Sequence, residues 1–147
     1  MNKGKTQIKI RGPVLSLDLG QKRVGVAIAD QLLISITRLD ALYRSSWKQL
    51  LRDVDALIKR FDAKSLVIGL PLRLNGTTGA GALAAEQTAE KFARSLDIPV
   101  FLQDERLTSV EARERLLADG YRVEEIGILL DSESAAIILR DFIANEG

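Results

Sequence analysis

The chain has 147 residues, room for one domain with a sizeable core. Its 46% hydrophobic and 28% charged residues, with a net charge of +1, give an ordinary soluble balance that does not by itself indicate nucleic acid. It holds no cysteine and no histidine, which excludes disulfides, thiolate or imidazole metal ligands and histidine general catalysis; a metal site must use oxygen ligands, which suit hard cations such as magnesium or manganese.

Residues 1–13 read as a flexible basic arm, with Lys3, Lys5, Lys9 and Arg11 ahead of Gly12-Pro13, and residues 14–147 as a single domain. Leu15, Leu17 and Leu19 alternate with Ser16 and Asp18, the period of a half-buried strand over about 14–19. Val24, Val26 and Ile28 alternate with Gly25, Ala27 and Ala29 in a second strand over about 23–30. Gly20 is expected to supply the positive φ of the tight reversal between them. Asp18 is costly to bury without a partner, so it either caps the turn or holds a cation at the edge of the sheet. The small Gly25, Ala27 and Ala29 leave room beside it. Asp30-Gln31 turns the chain into a third strand, from Leu33 to about Leu42.

Ser45 or Ser46 can cap the helix that follows, on which Trp47, Leu50, Leu51, Val54, Leu57, Ile58 and Phe61 form one apolar face. The apolar run Ser65–Pro71 reads as a strand buried on both faces and parallel to the first. The loop Pro71–Gly81 carries Arg73 and Asn75; it is either a plain connection or a substrate-facing loop at the carboxyl end of a strand. An alanine-rich helix covers about Ala82–Leu96, and Ile98–Gln103 is a further strand ending in Asp104-Glu105-Arg106. Thr108-Ser-Val-Glu111 is a capping box opening a helix to about Asp119, stopped by Gly120. Residues 121–130 leave their element open, and Asp131 is expected to cap a last helix whose apolar face is Ala135, Ala136, Leu139 and Phe142 or Ile143. The order β-β-β-α-β-α-β-α-α predicts an α/β fold: a mixed sheet of about five strands, an antiparallel meander plus two parallel strands, with helices on both faces.

Asp18, Glu105 and Asp131 fall where such a sheet brings its ends together. Carboxylates gathered there repel one another and favour a divalent cation. Two such ions, roughly 3.5–4 Å apart, activate water and stabilise the leaving oxygen in phosphodiester hydrolysis. Each acid also has a plain reading: a turn former, a partner for Arg106 and a helix cap. Asp104 is a fourth candidate, and strand alternation says only that Asp104 and Glu105 point opposite ways. Lys22, Arg23 and Arg106, with Arg113 and Arg115, are placed to contact phosphates or simply to face water. No apolar run is long enough to span a membrane, and no apolar core follows the first charges, so the chain reads as cytoplasmic.

Four segments together resemble the YqgF or RuvX-like family. Leu17-Asp-Leu-Gly-Gln-Lys-Arg-Val-Gly-Val-Ala-Ile-Ala-Asp30 is similar to its opening motif, and Val67-Ile-Gly-Leu-Pro-Leu72 with Asn75-Gly76 to its second. Asp104-Glu-Arg-Leu-Thr-Ser-Val-Glu-Ala-Arg113 is similar to the third and Asp131-Ser-Glu-Ser-Ala-Ala-Ile-Ile-Leu139 to the last. The resemblance implies an RNase H-like fold and a magnesium- or manganese-dependent nuclease with carboxylates at Asp18, Glu105 and Asp131. It implies a part in ribosome biogenesis, the maturation of the 5′ end of 16S rRNA precursor, acting on structured RNA; the family's older assignment is resolution of branched DNA at Holliday junctions. The segment before the last acid is often basic in relatives, whereas here it is Val123-Glu-Glu-Ile-Gly-Ile-Leu-Leu130. Two other classes compete: an ATP-binding protein of the actin and sugar-kinase type, which needs a second domain and a second phosphate loop, and a non-catalytic nucleic-acid-binding module.

Overall fold

Two apolar sets, offset by one residue along each strand, build the two sides of one sheet. The structure, a computed structural model, describes residues 10–70, 79–104 and 108–146. Its elements are β1 (Val14–Leu19), β2 (Arg23–Ala29), β3 (Ile36–Tyr43), α1 (Trp47–Phe61), β4 (Ser65–Leu70), α2 (Ala80–Ser95), β5 (Val100–Asp104), α3 (Thr108–Ala118) and α4 (Val123–Glu146). The sheet runs β3-β2-β1-β4-β5. β1–β2 and β2–β3 are antiparallel, and β4 is parallel to both β1 and β5. Element order and strand pairing match the expectation.

One face carries Leu15, Leu17, Val24, Val26, Ile28, Leu66 and Ile68 against Leu50 and Val54 of α1 and Ala89 and Phe92 of α2. Trp47 meets the Phe92 ring edge-on at 4.8 Å between centroids. The other face carries Val14, Ala27, Ala29, Val67 and Phe101 against Ala135, Ala136, Ile138, Leu139 and Phe142 of α4. Small residues on β2 thus serve α4: Ala27 and Ala29, expected to leave room beside Asp18, pack against the helix. α3 packs on the far side of α4, burying Ala112 and Leu116. α4 is therefore covered on more than one side, and the eight residues Ser132–Leu139 are all buried.

Local chemistry explains the boundaries. Ser46 caps α1, its hydroxyl accepting the Gln49 N–H at 3.1 Å. Gly120, at φ 92°, ends α3 as expected, with Tyr121 N–H reaching Leu116 O at 3.0 Å. The capping-box side chains Thr108 and Glu111 lie outside the described residues. β3 starts at Ile36 rather than Leu33, because Leu33 turns with φ 60° and the Asp30 side chain accepts the Ile34 N–H at 2.9 Å. Of the expected arm, residues 1–9 lie outside the described residues. Ile10 packs under α4, and Ser65 Oγ donates to Arg11 O at 3.2 Å.

Two expectations fail. Asp131 does not cap the last helix: α4 already begins at Val123, and Glu125 Oε1 accepts the Arg122 N–H at 2.9 Å, half of a capping box. The apolar run 126–130 continues that helix instead of preceding it. Gly20 has no positive φ. It is required for closeness, since a Cβ there would stand 2.5 Å from Arg23 O, the carbonyl that accepts the Gly20 N–H at 3.0 Å.

Candidate functional site

Asp18 lies near the carboxyl end of β1, half-buried, on the α4 side of the sheet. Alternation sets that side: Leu17 belongs to the opposite core, while Ser16, two residues before Asp18, donates its hydroxyl to Ala135 O of α4 at 2.7 Å. The residue beside Asp18 on β2 is Gly25. On β4 the last residue paired with β1 is Ile68, opposite Leu17, and Gly69 follows it. Gly25 falls between Val24 and Val26, and Gly69 follows Ile68, all three of which face α1 and α2, so alternation puts both glycines on Asp18's side. The carboxylate is flanked along the sheet by two positions without side chains, an opening in which a ligand or a chain backbone can approach.

α4 lies across this side. Its Ser132 lies over β2 and β3, accepting the Val26 N–H at 3.4 Å and donating to Leu39 O at 2.6 Å, its Ala135 meets Ser16 of β1, and its Phe142 meets Phe101 of β5. Asp131 lies one turn of α4, about 6 Å of rise, before Ala135, whose carbonyl accepts the hydroxyl of Ser16, two residues before Asp18 on β1. The Asp131 side chain lies outside what is described.

The end of β5 separates the two neighbouring acids. Val100 and Leu102 line a groove with Glu86, Ala89, Glu90 and Ala93 of α2, and Phe101 packs under α4 against Phe142 at 5.2 Å. Asp104 thus shares the α2 side, away from Asp18, while Gln103 shares Asp18's side. Glu105, Arg73, Asn75 and Arg106 lie outside the described residues. Lys22 is exposed in the β1–β2 turn and Arg23 is half-buried at the start of β2. Among the described residues no group of three acidic side chains gathers as a metal site, a set that includes neither Glu105 nor the Asp131 side chain.

Ser16, Ser132 and Arg38, which position α4 on the sheet, were not singled out from sequence. A hydroxyl between two leucines was the only signal for Ser16, and Ser132, between Asp131 and Glu133, carried none. Arg38 Nη1 lies 3.6 Å from Oε1 of the buried Glu133.

The family model described as Holliday junction resolvase, RuvX, matches residues 12–145. The chain belongs to the RuvX family. A relative from Anaeromyxobacter sp. (strain Fw109-5), named "Putative pre-16S rRNA nuclease", is 36% identical over 129 residues, covering 88% of this chain and 94% of its own. One of the same name from Gloeothece citriformis is 39% identical, covering 88% and 85%. Among solved structures, T. thermophilus RuvC in complex with a Holliday junction substrate aligns with a TM-score of 0.56 at 16% identity, covering 91% of this chain and 96% of that one. Yeast mitochondrial Ydc2, a Holliday junction resolvase, aligns with a TM-score of 0.56 at 15% identity, covering 95% and 80%. The fold of this RuvX family member is RNase H-like, as the four motifs implied. No helix of the described residues is long and apolar enough to cross a membrane.

Proposed function

We propose that this RuvX family member is a cytoplasmic, divalent-metal-dependent endonuclease that hydrolyses phosphodiester bonds in structured RNA, in 5′-end maturation of pre-16S rRNA, with Asp18, Glu105 and Asp131 as its metal ligands. The observation that carries the reading is the Asp18 carboxylate, set between Gly25 and Gly69 on the side of the sheet crossed by α4. Asp131 lies one turn of α4 before Ala135, whose carbonyl accepts the hydroxyl of Ser16, two residues before Asp18. With Asp104 on the other side, we assign Glu105 as the acid of the pair that joins the set. An all-carboxylate set in a chain without histidine or cysteine suits magnesium or manganese.

When bound, one or two such ions would lower the pKa of a water so that it gives up a proton and serves as a hydroxide nucleophile, and would offset charge on the leaving oxygen. The chain's own part is to hold the carboxylates on a rigid strand and helix and to admit the sugar–phosphate backbone through the glycine opening. Lys22, Arg23, Arg73, Asn75 and Arg106 would contact its phosphates. The family description favours a second reading, cleavage of branched DNA.

The test incubates precursor 16S RNA and a four-way DNA junction with the protein and magnesium or manganese, beside Asp18→Asn. RNA cleavage falling by at least about 100-fold in the variant is expected, since even groups that only orient a metal ligand are worth up to that much. Equal cleavage by the variant defeats the assigned site. Cleavage of the junction alone selects the second reading, and binding without cleavage of either selects a non-catalytic module.

A further inference from the structure

A cleft of about 330 Å³ opens beside the site, lined by Arg23, Arg38, Asp40, Tyr43 and Ser132 among others. A β-bulge makes it. Val24 pairs with Leu42 and Val26 with Leu39, so Asp40 and Ala41 together oppose Gly25. The extra residue shifts the alternation of β3. Leu39 and Leu42 both turn to the α1 side, and Arg38 and Tyr43 both turn to the α4 side. In an unbroken strand Arg38 and Tyr43, five residues apart, would face opposite ways.

Tyr43 pairs across the sheet with Arg23 and is 81% exposed. The Arg38 guanidinium is held by long contacts. Its Nη2 makes a 3.5 Å hydrogen bond to Tyr121 Oη, it lies 5.7 Å from the centre of that ring, and its buried Nη1 stands 3.6 Å from Glu133 Oε1 without a hydrogen bond. A guanidinium offers five donor hydrogens, so most of its capacity is unspent among the described residues. The bulge, Gly25 and Asp18 lie in one row across β3, β2 and β1. Two strand spacings, about 10 Å, thus separate the cleft from Asp18, a span of a few nucleotides.

We propose that this cleft seats a backbone phosphate of single-stranded RNA between Arg23 and Arg38, with a neighbouring base stacked on Tyr43. The inference rests on the nuclease reading of the Asp18 site and extends it to a subsite that fixes the strand a few nucleotides from the cut. Arg and an exposed aromatic ring are the pair that grips single strands without reading sequence. Asp40 at the cleft and Glu133 beside Arg38 temper the grip, and this sets the sign of one control.

The test measures binding of a fluorescently labelled single-stranded RNA to the full chain in metal-free buffer, over a range of salt. Tyr43→Ala is expected to weaken binding about tenfold. Arg38→Gln should weaken it and flatten the slope of log affinity against log salt by about 0.7, one phosphate contact on a single strand. Asp40→Asn, which removes only an exposed negative charge, should tighten binding about twofold. Unchanged affinity and slope in both Tyr43→Ala and Arg38→Gln, or weaker binding by Asp40→Asn, overturns the proposal. An Arg38 that only holds α4 would lower thermal stability and leave the slope alone, which Tyr43→Ala tests separately. Asp18→Asn, which also loses a negative charge, should bind at least as tightly as the parent, so loss of cleavage and loss of the subsite are read independently.

Discussion

Ser132→Ala should destabilise the protein by about 2 kcal/mol, because one hydroxyl serves two strands at a break in their ladder. Ser132 Oγ donates to Leu39 O at 2.6 Å and accepts the Val26 N–H at 3.4 Å, and it is 5% exposed. Val26 and Leu39 are the first pair beyond the bulge. A buried carbonyl left without its donor costs about 1–3 kcal/mol, and the long Val26 contact adds little. Removing one oxygen leaves too small a void to matter beside this. For a chain of this size each kcal/mol moves Tm by about 2–4 °C, so a drop of about 4–8 °C is expected. Urea unfolding followed by circular dichroism reads the same loss as a lower midpoint at unchanged slope. The variant should also cleave RNA more slowly, since Ser132 anchors the turn of α4 that carries Asp131. A loss under about 0.5 kcal/mol would refute the reasoning: the ladder or water would then already satisfy Leu39 O.

Two glycines should respond to alanine for different reasons. Gly20→Ala meets the Arg23 carbonyl at 2.5 Å and must open the β1–β2 turn, whereas Gly120→Ala has no atom within 4 Å and pays only for φ 92°; chemical denaturation should show about 1 kcal/mol for Gly120→Ala and more for Gly20→Ala. Ser46→Ala removes the α1 cap and should cost about 1 kcal/mol in the same assay. Asp104→Asn should keep cleavage within about twofold while Glu105→Gln abolishes it, and equal losses in a single-turnover assay would contradict the side assigned to Asp104 from β5 alternation.

Local periodicity was enough to order the elements. The alternation Leu15-Ser-Leu-Asp-Leu19, the spacing from Trp47 to Phe61 and the stop at Gly120 each act over a few residues, and each survived in the fold. Pairing followed as well, because a short loop can only reverse a strand while a helix can return it in parallel. Asp18 was legible because an acid among β-forming residues is anomalous wherever the strand ends up.

The rest depended on what packs against what. The stretch Val123–Leu130 had no amphipathic period, because α4 is covered by the sheet on one side and by α3 on another, so Asp131 looked like a beginning when it lies within a helix. Gly20 looked torsional, and only the Arg23 carbonyl across the turn revealed a steric need. One added residue in β3 has no signature in composition. It is defined by the partner strand, yet it decides that Arg38 and Tyr43 face the same side as Asp18. Periodicity is written in neighbours along the chain; which side of a sheet a charge faces, and beside which acid, is written in residues far from it.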